Sequence, residues 1–192
     1  MNRSLKTIHM SVLCAAMLTF LTACHAGEPA DKTIKLAAAN AAQPVAEAEP
    51  VIVVDTGPDL EFRGTISGDV LDLNDGGVTL ETPAVKQFRK TGVNPYNNVK
   101  AKVENGHTIY LTACSGCHGH NAEGKLGPAL HDDYWTYPVN LHDKGFFETI
   151  YGGASGMMGP QKGRIPQDEI LQIMSWVRSV YDGDPKKAKW KE

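Results

Sequence analysis

Spare cysteine is what this chain lacks first. Its 192 residues hold four cysteines. Cys14 and Cys24 belong to an apolar N-terminal stretch, and Cys114 and Cys117 form one C-x-x-C pair. If the N-terminal stretch is a leader, no thiol is left for a disulfide, so the rest of the chain must be held by packing and by whatever Cys114 and Cys117 bind. There is no second C-x-x-C, which a four-thiol zinc site would need. No βαβ pattern surrounds the first one, as a thioredoxin-like redox pair would require. A basic excess is missing as well: 19 Lys and Arg stand against 22 Asp and Glu. That balance argues against nucleic acid, which wants clustered positive charge. A membrane-spanning run is missing too. The mostly apolar segment from Ile8 to Leu21 falls short of the about 20 residues that cross a bilayer.

What is there is Cys114-Ser115-Gly116-Cys117-His118, the attachment signature of c-type haem. Two thiols at that spacing reach the two vinyl groups of one porphyrin. The following histidine then swings its imidazole under the iron as the proximal ligand. Haem iron that carries electrons needs a second axial group. Met157 and Met158, in GGASGMMGP over 152–160, offer thioethers among small residues that let the backbone approach a porphyrin face. Met158, next to Gly159-Pro160, is the preferred distal ligand and Met157 the alternative. His/Met ligation favours ferrous iron and raises its potential. A methionine pair used only as flexible core filling fits poorly among so many glycines.

The N-terminus reads as an export signal over residues 1–24. Arg3 and Lys6 precede the apolar run, and Leu21-Thr22-Ala23-Cys24 has the form of a bacterial lipobox, with Cys24 as the acylated residue. Ordinary cleavage between Ala23 and Ala26 is the alternative. Either route takes the chain out of the cytoplasm, to the periplasm, where c-type haem is normally attached. Removing residues 1–24 takes Arg3 and Lys6 and no acidic residue, so the formal charge of −3 becomes −5. Residues 25–49, rich in Ala, Glu and Pro, read as a disordered linker. Tethered at Cys24, it would let the domain range about 25–30 Å from a membrane.

Residues 50–104 read as an N-terminal extension packing on the haem domain. Val51 to Val54 and Val78 to Leu80 have the composition of short strands, and Ala84 to Lys90 of a short helix with Val85 and Phe88 on one face. Residues 105–182 read as the cytochrome domain. Asn105 is the expected N-cap of the helix leading into the cysteines, with Gly106 and Tyr110 on one face. Helices are expected from Asp143 to Tyr151 and from Pro166 to Tyr181. Trp176 is placed to pack on the helix before the cysteines. Residues 183–192 form a charged tail, expected to be exposed. Tyr134, Trp135 and Tyr137 are read as a haem-pocket wall, with one phenol or indole donating to a propionate as the sharper alternative. His120, His131 and His142 are read as structural rather than ligating. The pair Asp132 and Asp133 is read as a solvated loop, with calcium as the remote option.

The order C-x-x-C-H, Gly127-Pro128, methionine loop and C-terminal helix resembles a class I cytochrome c. More selectively, Phe62-Arg63, TGVNPYN (91–97), LTACSGCHGHNAEGKLG (111–127), YWTYP (134–138), 151–160 and 176–184 resemble the cytochrome c-L family. The resemblance implies a mainly α fold of about three to five helices around one covalent haem. It implies that Cys114 and Cys117 hold the haem, that His118 and Met158 ligate the iron, and that the Pro128 carbonyl takes the proximal ring's N–H. It further implies an electron carrier rather than an enzyme, serving methanol oxidation. The donor would be a methanol dehydrogenase bearing pyrroloquinoline quinone (PQQ), and the acceptor a second cytochrome c or an oxidase. Another quinoprotein or oxidase as partner, and a haem enzyme or gas sensor with a labile methionine, are the competing classes.

Overall fold

Helix α5, Gln167–Ser179, is the element on which the others lean. Asp168 and Glu169 in its first turn complement the positive end of the helix dipole. Ile170, Leu171, Ile173, Met174 and Val177 form a buried stripe at helical spacing. The computed structural model describes residues 57–191, apart from 75, 76, 79 and 80. The expected export signal, linker and strand at 51–54, and most of the strand at 78–80, lie outside the described residues. Within them the fold is mainly helical, as expected, and no strand forms: a single antiparallel bridge joins Arg63 to Val70.

Helix α1, Pro83–Thr91, starts on Thr82, whose side chain accepts the Val85 N–H, and ends at Gly92, whose N–H returns to the Phe88 carbonyl. It buries Ala84, Val85 and Phe88. Phe88 packs on Phe62 and Phe147 with ring centres 5.6 and 5.0 Å apart, so residues of the extension are part of the core. Asp168, at the head of α5, accepts from Thr82 Oγ1 and from Tyr96 Oη at 2.6 Å each.

Helix α2 runs over Lys100–Ala113. It begins earlier than its expected cap at Asn105. Val99 precedes it without any side-chain cap bond, and the Asn105 amide instead donates to Gln172 Oε1 at 2.6 Å. The expected boundary between extension and haem domain therefore falls inside a helix. Gly106 and Tyr110 do share the buried face. A Cβ on Gly106 would collide with the Gln172 carbonyl, so glycine is what lets α2 lie directly on α5. Trp176 packs on α2, its ring centre 4.2 Å from Tyr110 and 4.6 Å from His107.

Helix α3, Ser115–His118, follows at once, and α4, Asp143–Gly152, comes after a 3-10 turn at Pro138–Leu141. Helix α5 stops at Ser179, short of the expected Tyr181. The tail is not wholly exposed. Lysines alternate there with apolar residues, and Ala188 and Trp190 fold inward, 3% and 9% exposed. Trp190 meets Tyr181 edge-on at 4.9 Å.

Candidate haem site

The histidine of the C-x-x-C-H motif is fixed from below. Cys114 ends α2 and caps α3, and its carbonyl accepts from His118 N at 3.0 Å and Cys117 N at 3.1 Å. His118 is 8% exposed, and its Nδ1 lies 2.9 Å from the Pro128 carbonyl. That bond makes Nδ1 the protonated nitrogen and leaves the Nε2 lone pair available. The loop carrying Pro128 is tied in by Gly127 N donating to the Cys117 carbonyl at 2.9 Å. A Cβ on Gly127 would stand 2.7 Å from His118 Cε1, so only glycine lets this loop pass under the ring. Tyr110 Oη donates to the Gly119 carbonyl at 2.9 Å, and burial holds the phenol protonated.

Above this bed lies a cavity of about 540 Å³, within the range of pockets that take a whole cofactor, about 300–1,000 Å³. Cys114, Cys117, His118 and Met158 all line it. So do Pro128, Tyr134, Trp135 and Tyr137. The sequence-predicted site residues are thus brought to one place. The two methionines differ: Met157 is 81% exposed, whereas Met158 packs against the hydrophobic core. The loop holds its shape through Ala154 N donating to the Met158 carbonyl at 2.9 Å. The aromatic residues differ as well. Trp135 is buried and meets Phe146 edge-on at 5.3 Å, Tyr134 is 70% exposed at the rim, and Tyr137 Oη bonds Ser155 Oγ at 2.7 Å.

The donor set fits a haem. Two thiols, one imidazole with a free Nε2 and the thioether of Met158 share a chamber whose remaining lining is largely aliphatic and aromatic, with a few polar groups. Trp135 lines the cavity, and its Nε1 is buried with no hydrogen-bond partner among the described residues, an orphan donor in the wall of the site. A redox dithiol fits less well. Burial, aided by the neighbouring Cys117, pushes the Cys114 thiol up to about 11, whereas reactive dithiols need a lowered value.

His120 and His142 are exposed, and His131 Nδ1 pairs with Asp182 at 2.9 Å. Asp133 accepts from Tyr181 Oη, Asp184 N and Lys187 Nζ, which keep its carboxyl below the usual range. No group of three or more His, Cys, Asp or Glu is placed to hold a metal ion among the described residues. Sequence reasoning did not single out Asn140, Thr149 or Arg164, which also line the cavity. Arg164 is the one Lys or Arg in that lining, and no local motif marks it. Asn140 had a faint signal, standing just past the YWTYP segment.

Comparison with known proteins agrees with the geometry. The family model described as "Cytochrome C oxidase, cbb3-type, subunit III" matches residues 101–177. Cytochrome c-L of Methylorubrum extorquens is 51% identical over 130 residues, 67% of this chain and 66% of that protein's length. Among solved structures, cytochrome cL of the marine methylotrophic bacterium Methylophaga aminisulfidivorans superposes with a TM-score of 0.67 at 60% identity, covering 68% of this chain and 87% of that one. Cytochrome cL of Hyphomicrobium denitrificans gives 0.65 at 48% identity, covering 69% and 80%. The chain belongs to the cytochrome c-L family: it is a c-type cytochrome, an electron carrier and not an enzyme.

Proposed function

We propose that this chain is a periplasmic mono-haem carrier that takes single electrons from a PQQ-dependent methanol dehydrogenase and passes them to a second cytochrome c or an oxidase. The observation that supports it most is the meeting of Cys114, Cys117, His118 and Met158 around one cavity. Cys114 and Cys117 would hold the porphyrin covalently. His118, oriented by Pro128, would ligate one side of the iron and Met158 the other. When bound, the haem supplies an iron that alternates between ferrous and ferric states. The chain's own part is to fix both ligands before and after transfer, keep water off the buried wall, and leave no open position for a substrate.

The donor is inferred from likeness to cytochrome c-L, including a relative from a methylotroph. Exposed Leu126, Tyr134 and Met157 line the mouth of the cavity, where a transient partner would meet the thioether edge. Such electron-transfer contacts are small, below about 1,200 Å². The lipobox-like leader supports export and, through Cys24, a lipid tether.

The test mixes reduced, purified methanol dehydrogenase with this protein and follows haem reduction by stopped-flow absorbance. Fast second-order reduction, slowed by substitutions at Leu126 or Tyr134 that leave the spectrum intact, is the expected result. No reduction by that donor, with reduction by another quinoprotein, would reassign the partner. Rapid carbon monoxide binding by the reduced protein would instead favour a sensor or enzyme.

A further inference from the structure

An ion pair buried on both sides stands directly behind the cavity wall. The side chains of Arg178 and Asp143 are 3% and 2% exposed, with Arg178 Nε 3.1 Å from Asp143 Oδ1. Arg178 Nη2 donates to the Asn140 carbonyl at 2.7 Å. Its guanidinium carbon lies 5.1 Å from the ring centre of Trp135, 4.7 Å from Phe146 and 4.0 Å from Trp190. Asn140, Trp135 and Phe146 all line the cavity. Asp143 is turned the other way. Its Oδ2 accepts from Asn94 N at 3.1 Å and Asn97 Nδ2 at 2.7 Å, both in the extension. Arg178, Asp143, Asn94 and Asn97 all stand outside the cavity lining, but the guanidinium touches lining residues while Asp143 Oδ2 bonds the extension.

The pair is therefore an oriented one, with its positive end against the wall and its negative end toward the extension. Desolvation lowers the Arg178 value to about 10, with Asp143 opposing it, so the guanidinium is charged at neutral pH. Buried charges are screened far less than surface ones. Reduction adds an electron to the group in the cavity, and a nearer positive end favours that state.

We infer that Arg178 and Asp143 form a positioning pair that raises the reduction potential of the haem held in the cavity, while Arg178 braces Trp135, Phe146 and Asn140. This rests on the carrier reading above.

The experiment measures midpoint potential, covalent haem content and melting temperature of the haem-loaded protein in three variants. Arg178→Gln leaves Asp143 uncompensated and should shift the potential down. Asp143→Asn leaves the guanidinium uncompensated and should shift it up. Arg178→Lys keeps the charge and should hold the potential near the parent value while lowering the melting temperature. Shifts of the first two in the same direction overturn the proposal, because a structural role alone admits water to the cavity in both. If neither of those two folds, Arg178→Lys decides. An unchanged potential supports the proposal, and a fall in potential or a failure to fold with the charge kept overturns it. Absence of covalent haem from the parent protein would sink the carrier reading itself, whereas haem present with unsplit potentials sinks only this inference.

Discussion

The bed under His118 and the wall behind Trp135 are built in opposite ways. The bed is local: the bonds that shape it join residues between Tyr110 and Leu130. The wall is assembled from distant segments, with Asn94, Asn140, Asp143, Arg178 and Trp190 meeting only in the folded chain. A local bed can pre-form a ligand site at little loop-closure cost. A long-range wall exists only once the helices have docked, which makes it the part through which the rest of the fold can act on the site.

Substitutions can break or sharpen that contrast. The largest effect is expected in the bed: Cys114→Ala with Cys117→Ala should yield a chain with no covalently bound haem, seen as loss of haem staining on a denaturing gel. Next comes the docking that builds the wall. Gly106→Val would drive α2 off the Gln172 backbone and should cost about 3 kcal/mol, read from the shift in urea midpoint. An unchanged midpoint would mean that α2 and α5 can separate without consequence. Met158→Ala should abolish the weak long-wavelength absorption band that marks methionine–iron bonding in the ferric form, while Met157→Ala keeps it; the reverse would exchange the two ligands. The smallest effect lies furthest from the cavity. Thr82→Ala removes the α1 cap and should cost about 1 kcal/mol without altering the visible spectrum.

The same contrast explains what could be read from the chain beforehand. Helices α1, α4 and α5 were legible because their apolar spacing repeats within a few residues, and the C-x-x-C-H segment because its chemistry is fixed by adjacency. Asn105 misled because a good capping residue can be claimed by a distant partner, here Gln172 Oε1. The tail misled because its lysines outnumber its apolar residues, though only Ala188 and Trp190 needed to turn inward. Arg178 was invisible as a site residue. On the sequence it is one more cation near the end of a helix, and its meaning depends on Asp143 and the rings that reach it from elsewhere.

Trp190 adds a practical consequence. Its indole is the nearest of the three rings to the Arg178 guanidinium, so the last described residues act as a lid on a buried charge. Trimming residues 189–191, or crowding them with a bulky fusion partner, would wet that charge from outside. A cytochrome altered only at its far end would then differ in its electrochemistry, and an affinity handle placed there would not be a neutral choice.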